Sequence, residues 1–424
     1  AGVNGYQLSL DVNWALRSAT YDRPESAVNT GVNQRGDEQI ALNSGEGSVN
    51  NFVYSPMIGF ATDFNTDIPF GLALGFFAPF GGQSVWDDVD AVDGAPGAYD
   101  GPQRWYVTEG TIRTLAFTLA GGYEIESARL SFGLAANLYL SEIATIRART
   151  VDGTDNLDAE GRSIIDVKGT DIGLGFGVLW EAVEDSLWVG ASYQSAPGFD
   201  GKQALEGDLI NSFPPNVGEP EPTTVTSGLP DIVRLGARYR INTGEGETLA
   251  PRAEVRLFGD LTRWSRLDNQ CILGGEAADV DDPHDYCAVN DDGSLVTPTN
   301  TGIVQNLRRD WRDTVGFRLG GSYWVNPDIE LQLDLGYDGN AIPDATLEPA
   351  LMDFSKATAG VGGRFQVAKP LAIGVLATNV FYFERDTTDV DTAEALLPPS
   401  RQPSSAGVYN QNVFVLNTHL DFSF

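Results

Sequence analysis

The chain has 424 residues, a formal net charge of −32 and a mean hydropathy of −0.16. Its 59 acidic residues against 27 basic ones exclude a nucleic-acid partner, because phosphates need a basic footprint. It has no run of about eighteen apolar residues, which excludes a transmembrane helix. The 48 glycines and the 10% aromatic content favour β-structure.

Segments of alternating apolar and polar residues recur along the whole chain. Because strand side chains point alternately to opposite faces, each segment predicts a strand with one apolar and one polar face. The predicted strands cover residues 6–19, 50–63, 68–80, 105–124, 128–148, 162–181, 186–196, 229–241, 249–264, 310–325, 328–339, 353–367, 370–385 and 411–424.

The connections between these fourteen strands alternate between short turns and long polar loops. This organisation is typical of an outer-membrane barrel, with short periplasmic turns, long extracellular loops and an even strand number. We therefore predict an all-β fold: one antiparallel transmembrane β-barrel domain over residues 1–424, with no N-terminal plug. Candidates for the aromatic girdles at the membrane surfaces are Tyr6, Trp14, Tyr139, Trp188, Tyr239, Tyr323, Tyr337 and Tyr382.

The two cysteines, Cys271 and Cys287, fall in one long loop rich in Asp, Gly and Asn. Two thiols with His284 make an incomplete zinc set, so a disulfide in an exported loop is the preferred interpretation. Acidic residues cluster in the same loop and in two others, for example Asp87 to Asp93. They predict either a solvated acidic exterior or a Ca²⁺ site, and no other cofactor is expected.

The third strand is irregular. Its alternation breaks at Phe77, and Pro79, Phe80, Gly81 and Gly82 follow. Proline cannot donate to the strand ladder and glycine marks bulges, so this stretch predicts a defect that opens hydrogen bonding between neighbouring strands of the wall. The alternative is that the strand ends near Ala78 and a loop begins there.

If the apolar faces point outward, many basic side chains point into the lumen. We predict that they form Arg–carboxylate pairs or attract and guide an anion through the barrel. The candidates for this guidance are Arg234, Arg238, Arg256, Arg318, Lys356 and Arg364.

Several motifs resemble the FadL family of outer-membrane transporters for long-chain fatty acids, with its TodX-like aromatic-hydrocarbon relatives. "APFGGQSVWDD" is similar to the family's kinked third strand. "SGLPDIVRLGARYRI", "LTRWSRL" and the block from Trp311 to Thr346 resemble further family segments in the same order along nearly the whole chain. Within that block, Gly316 stands where the family has an arginine, and Arg318 lies two residues further on.

The resemblance implies a channel in the bacterial outer membrane for passive uptake of fatty acids or aromatic hydrocarbons. It implies capture at apolar loops and lateral exit through the gap at the third strand. The loop candidates, for which packing among the loops is the alternative role, are Phe213, Leu351, Phe354, Leu396 and Leu397. The family's N-terminal plug has no counterpart here, so a plug peptide or partner protein in the lumen is a further expectation.

Two other functions remain open on sequence: a structural or interaction subunit of an outer-membrane complex, and a water-filled porin. Lipids and lipopolysaccharide are expected partners of any such barrel. An enzyme is not expected, since only His284 and His419 are present and no nucleophile–base–orienter set is apparent.

Overall fold

The computed structural model describes residues 5–29, 31, 35–66, 68–244, 250–290, 294–392, 396–397 and 399–424. Fourteen long strands pair with their neighbours in chain order, all antiparallel, and the last pairs with the first to close a barrel. They are β1 (Tyr6–Arg23), β2 (Gly45–Thr62), β3 (Phe70–Val85), β4 (Glu109–Ile125), β5 (Leu130–Arg149), β6 (Gly161–Val183), β7 (Leu187–Gln194), β10 (Ile232–Thr243), β11 (Ala250–Thr262), β14 (Thr314–Asn326), β15 (Ile329–Asp338), β16 (Lys356–Ala368), β17 (Leu371–Tyr382) and β20 (Val408–Ser423).

Six shorter strands lie in the long loops: β8 (Lys202–Ser212), β9 (Glu221–Gly228), β12 (Asn269–Gly274), β13 (Ile303–Arg308), β18 (Arg385–Asp386) and β19 (Leu396–Leu397). Two short helices, α1 (Asp37–Ala41) and α2 (Pro283–Tyr286), also belong to the loops. Single 3-10 turns cover Glu25–Ala27, Pro96–Asp100, Pro102–Trp105, Glu126–Ala128, Leu157–Ala159, Trp264–Arg266, Gly275–Asp279 and Asp344–Thr346. No helix among the described residues is long and apolar enough to cross a membrane.

The predicted fold is confirmed, since each of the fourteen predicted segments overlaps one strand of the barrel. Register at the closure pairs Trp14 of β1 with Leu416 of β20, which places both on the outer face. The outer face is mainly apolar: Leu134, Leu235 and Val361 are among its most exposed side chains.

The girdle prediction is partly wrong. Tyr6, Trp14, Tyr239, Tyr323 and Tyr337 are exposed on the outside as expected. Tyr139 is instead buried inside, where Gln194 donates a hydrogen bond to its hydroxyl. Trp188 stacks inside under Arg238, and Tyr382 packs on Phe354. These three residues have the parity of the luminal face, since their neighbours Leu138, Val189 and Phe381 are the exposed ones.

The long loops are more ordered than their polar composition suggests. The outer end of β6 continues beyond the barrel and pairs with β8, and the ladder then runs through β9, β12, β13 and β19. This extracellular sheet buries its own apolar cluster around Val167, Leu205 and Leu209. The predicted disulfide, Cys271–Cys287, is present and joins β12 to the end of α2.

Candidate ligand pathway

An apolar cluster fills the barrel between the loop-side ends of its strands. Leu351 and Phe354, both predicted as apolar loop residues, belong to it or pack against it. Phe354 is fully buried, with its ring centroid 5.5 Å from that of Tyr382. The buried members are Ala19, Tyr21, Val49, Trp86, Trp105, Tyr106, Val107, Ala148, Ile342, Leu347, Phe354 and Tyr409.

A buried polar network ties three loops together above this cluster. Arg23 and Asp155, each with a fully buried side chain, form an ion pair at 2.8 Å. The backbone carbonyl of Asp155 accepts hydrogen bonds from the side chains of Gln39 and Asn43. Burial lowers the pKa of Arg104. Arg104 pairs with the carboxylate of Glu160 in the third long loop and also donates a hydrogen bond to the side-chain oxygen of Asn43. Because buried charges need partners, the network fixes how these loops meet.

Three aromatic rings connect the apolar cluster to the wall. Trp311 packs against the cluster and its ring centroid lies 5.0 Å from that of Trp264. Trp264 in turn meets Phe80 of β3 edge-on at 5.7 Å. Edge-to-face pairs at these separations are favourable contacts. The cluster and the wall at β3 are therefore joined by a continuous apolar surface.

Backbone pairing between two strands of the wall stops where these rings reach it. β2 and β3 pair only from Ile58 with Phe76 to Thr62 with Leu72, although each strand continues well beyond. On the loop side the two edges meet again where the side chain of Asn51 donates to the Gln83 carbonyl at 2.7 Å. We call the unpaired stretch, residues 52–57 of β2 and 77–82 of β3, the window.

Both edges of the window contain a proline. Pro79 lies in a bulge, since register on β4 shifts between Phe77 and Phe80. Pro56 lies on the facing strand, and neither residue has a backbone N–H to donate. The strand continues to Val85, so the alternative that it ends near Ala78 is wrong. Pro56 was missed because the alternation of β2 is undisturbed around it.

The two glycines of the window differ. Gly81 has φ +138°, and a Cβ there would lie 2.5 Å from the Ile112 carbonyl oxygen of β4. Only glycine fits this close approach without strain. A Cβ on Gly82 would meet no atom within 4 Å. Gly82 therefore borders open space, and a large side chain there can enter the window.

The charges beside the window indicate its position relative to the membrane. Gly81 pairs with Arg113 of β4, and Arg113 forms an exposed ion pair with Glu142 at 2.6 Å. Lys168 of β6 approaches the same carboxylate at 3.5 Å. Below these charges the outer wall is apolar, with a groove of about 870 Å³ lined by Ile58, Phe76 and Phe117 among others. Because charges avoid the hydrocarbon region, the window opens at the top of the apolar band.

A second cavity lies in the periplasmic half of the barrel. It measures about 640 Å³ and is lined mainly by small residues of β2 to β7, together with Trp188 and Phe258. Two of the predicted guiding arginines, Arg234 and Arg238, also line it. Arg238 stacks on Trp188 at 4.2 Å.

The six predicted guiding cations do not form one group. Five lie near carboxylates: Arg238 and Arg256 near Glu254, Arg318 near Asp338, Lys356 near Asp353 and Arg364 near Asp421. Arg234 has no carboxylate within 4 Å among the described residues and donates weakly to Gln194. This geometry matches the Arg–carboxylate network, while guidance of an anion stays a prediction.

The remaining loop candidates lie apart from the window. Leu397 is buried and pairs with Asn306 of β13, beside half-buried Leu396. Phe213 lies near the end of the β8 hairpin, against Gly161. These three side chains pack within the extracellular loops. No group of three or more metal-binding side chains occurs in the described part of the chain, which leaves out Asp291, Asp292 and Glu394 of the acidic loops.

Comparison with known structures identifies the fold. A Pseudomonas aeruginosa FadL homologue superposes with a TM-score of 0.72 at 14% identity, covering 99% of this chain and 90% of the other. The toluene transporter TodX of P. putida gives a TM-score of 0.63 at 12% identity, covering 100% and 91%. The monoaromatic hydrocarbon channel CymD gives 0.59 at 12% identity, covering 100% and 89%.

Comparison of sequences identifies the family. A putative outer membrane protein of Neisseria meningitidis serogroup B, NMB0088, is 23% identical over 232 residues, which is 53% of this chain and 45% of that protein. The family model described as outer membrane protein transport protein (OMPP1/FadL/TodX) matches residues 10–424. The chain belongs to this family of outer-membrane channels for hydrophobic compounds, whose members are transport proteins and not enzymes.

Proposed function

We propose that this barrel passes hydrophobic molecules from its extracellular mouth through the window into the outer leaflet of the membrane. The observation that carries the proposal is the short β2–β3 ladder, which leaves the two strands unpaired beside Pro56 and Pro79. The apolar cluster and the rings of Trp311, Trp264 and Phe80 supply an apolar route to the window.

The surroundings of the window suit an apolar substrate. A molecule leaving there meets the apolar groove below Arg113 and not the charged luminal wall around Glu254. Apolar molecules gain about 25 cal/mol for each Å² removed from water, so a continuous apolar surface lowers the barrier along the route. We infer long-chain fatty acids or aromatic hydrocarbons as the substrate class, since TodX and CymD are named for toluene and monoaromatic hydrocarbons.

Two matched substitutions test the route. Gly82→Trp places an indole in the window, where nothing lies within 4 Å of the added Cβ. Gly59→Trp places the same group on β2 inside the β2–β3 ladder, where Gly59 pairs with Gly75 and only the Cβ of Ser9 lies as near as 4.0 Å to an added Cβ. Lateral exit predicts that Gly82→Trp lowers toluene uptake to the level of cells without the protein, while Gly59→Trp leaves it near the wild-type rate.

Uptake is measured in cells expressing each variant and normalised to folded barrel, determined from its heat-modifiable mobility on gels. The opposite pattern, with Gly59→Trp blocking and Gly82→Trp neutral, would indicate an axial path through the luminal cavity. Equal uptake in all three strains would show that the window is not on the route.

A further inference from the structure

Three arginines lie close together at the mouth of the barrel. Arg147 and Arg149 are at the loop-side end of β5, and Arg309 follows β13. Arg147 and Arg309 are 9% and 4% exposed. Near them is one buried carboxylate, Glu348, which Arg309 contacts at 2.9 Å. In a chain with net charge −32, this buried excess of positive charge needs an explanation.

The hydrogen bonds of Arg147 do not neutralise it. Its Nη2 donates to the Gln305 side chain, which donates to Gln402 at 2.9 Å, which donates to Glu348 at 3.0 Å. Two neutral amides therefore separate Arg147 from that carboxylate. Its Nε is buried with no hydrogen-bond partner. Neither Arg147 nor Arg149 has a carboxylate within 4 Å among the described residues.

A small cavity lies beside these groups. It measures about 10 Å³ and is lined by Trp105, Arg147, Ala148, Arg149, Thr150, Gly153, Gln305, Arg401, Gln402 and Pro403. The lining contains three arginines, Arg147, Arg149 and Arg401, and no acidic residue. A cavity of this size holds about one water-sized species.

The chemistry of the cavity limits its occupant. A water molecule could accept the unpaired Nε–H of Arg147 but could not offset the buried charge, whose desolvation is costly. A carboxylate carrying an alkyl chain is too large for a space that holds one water-sized species. The occupant must be small, negatively charged and able to accept from several N–H donors at once.

We propose that this cavity is a halide site, occupied by chloride under physiological conditions and bound mainly by Arg147 and Arg149. The ion sits where the end of β5, the loop after it and residues 401–403 meet. It fastens these three segments together, so that loop closure over the apolar cluster depends on chloride. The inference does not rest on the transport route proposed above.

The test uses the purified full chain folded in detergent. Denaturant unfolding is followed in chloride and in gluconate at equal ionic strength, because a ligand bound only to the folded state stabilises it by RT ln(1 + [L]/Kd). We expect the unfolding midpoint to rise with chloride concentration and not with gluconate. Arg147→Met removes this response, whereas Arg35→Met, which breaks an exposed pair with Asp158, keeps it.

A crystal soaked in bromide gives a second readout that does not depend on any variant folding. An anomalous peak within contact distance of Arg147 and Arg149 is expected. Equal midpoints in chloride and gluconate, or a bromide-soaked crystal without that peak, would overturn the proposal and leave water as the occupant. A chloride response that persists in Arg147→Met would place the effect elsewhere and would also overturn it.

Discussion

Substitution of Asp155 by asparagine should loosen the loops over the barrel without damaging the barrel itself. Asp155 is fully buried, pairs with Arg23 at 2.8 Å and also accepts from the backbone N–H of Asn29 at 3.2 Å. Asparagine keeps the shape but removes the charge, which leaves Arg23 buried without an anionic partner. Breaking such a pair costs about 3–5 kcal/mol, because one desolvated charge stays uncompensated.

The magnitude translates into a measurable change in loop opening. At about 1.4 kcal/mol per factor of ten, the open population of these loops should rise by roughly 10² to 10⁴. Limited proteolysis of intact outer membranes reports that population when reclosing is fast relative to cleavage. Cleavage in the loops should accelerate strongly, while heat-modifiable migration of the barrel is unchanged.

An exposed pair provides the matched control. Arg35 and Asp158 lie 2.7 Å apart, but the two side chains are 21% and 47% exposed, so Asp158→Asn should cost no more than about 1 kcal/mol. The double variant Arg23→Met/Asp155→Leu should recover much of the lost protection, since it removes both charges. If Asp155→Asn is cleaved no faster than Asp158→Asn, the buried network does not hold the loops closed.

Three further predictions concern Arg318, His284 and the disulfide. Arg318→Ala should slow uptake of a fatty acid more than uptake of toluene, because only the acid carries a carboxylate to attract; equal effects in uptake assays would remove Arg318 from guidance. Burial lowers the pKa of His284, whose Nε2 lies 2.9 Å from the Gln203 carbonyl oxygen. The neutral ring is thus favoured in the folded state. Its contribution to the free energy of unfolding is present above the unfolded-state pKa of about 6.5 and is lost as the pH falls through the lowered folded-state pKa. The hydrogen-exchange protection factors of α2 amides, corrected for the intrinsic pH dependence of exchange, should fall on acidification in the wild type and not in His284→Gln. Thiol titration of the unfolded, unreduced chain should find Cys271 and Cys287 blocked, and two free thiols would refute the disulfide.

Alternation predicted the strands and the barrel because every wall strand has one face in an apolar environment. The extracellular sheet was not predicted, because β8 and β9 carry Gly, Asp and Thr within long polar stretches and lack a strong apolar face. The pairing of β8 with β6 and of β9 with β12 depends on contacts distant in sequence, which periodicity does not report.

The sequence predicted only the β3 edge of the window. Pro79 and Gly81 disturb the pattern of β3, whereas Pro56 leaves the pattern of β2 intact. The opening itself is a property of pairing between the two strands. The proximity of the arginines at the mouth of the barrel could not be predicted either, because Arg147 and Arg309 are 162 residues apart in sequence and only the fold brings them together.

The most direct test of lateral exit is to map where a transported molecule touches the wall. A diazirine-labelled aromatic hydrocarbon, irradiated during uptake by cells expressing the wild-type chain, marks the residues along its path for mass spectrometry. Lateral exit predicts labels on Val53, Phe77 and Phe80 at the window. Labels confined to Trp188 and Phe258 in the periplasmic half of the lumen would contradict it.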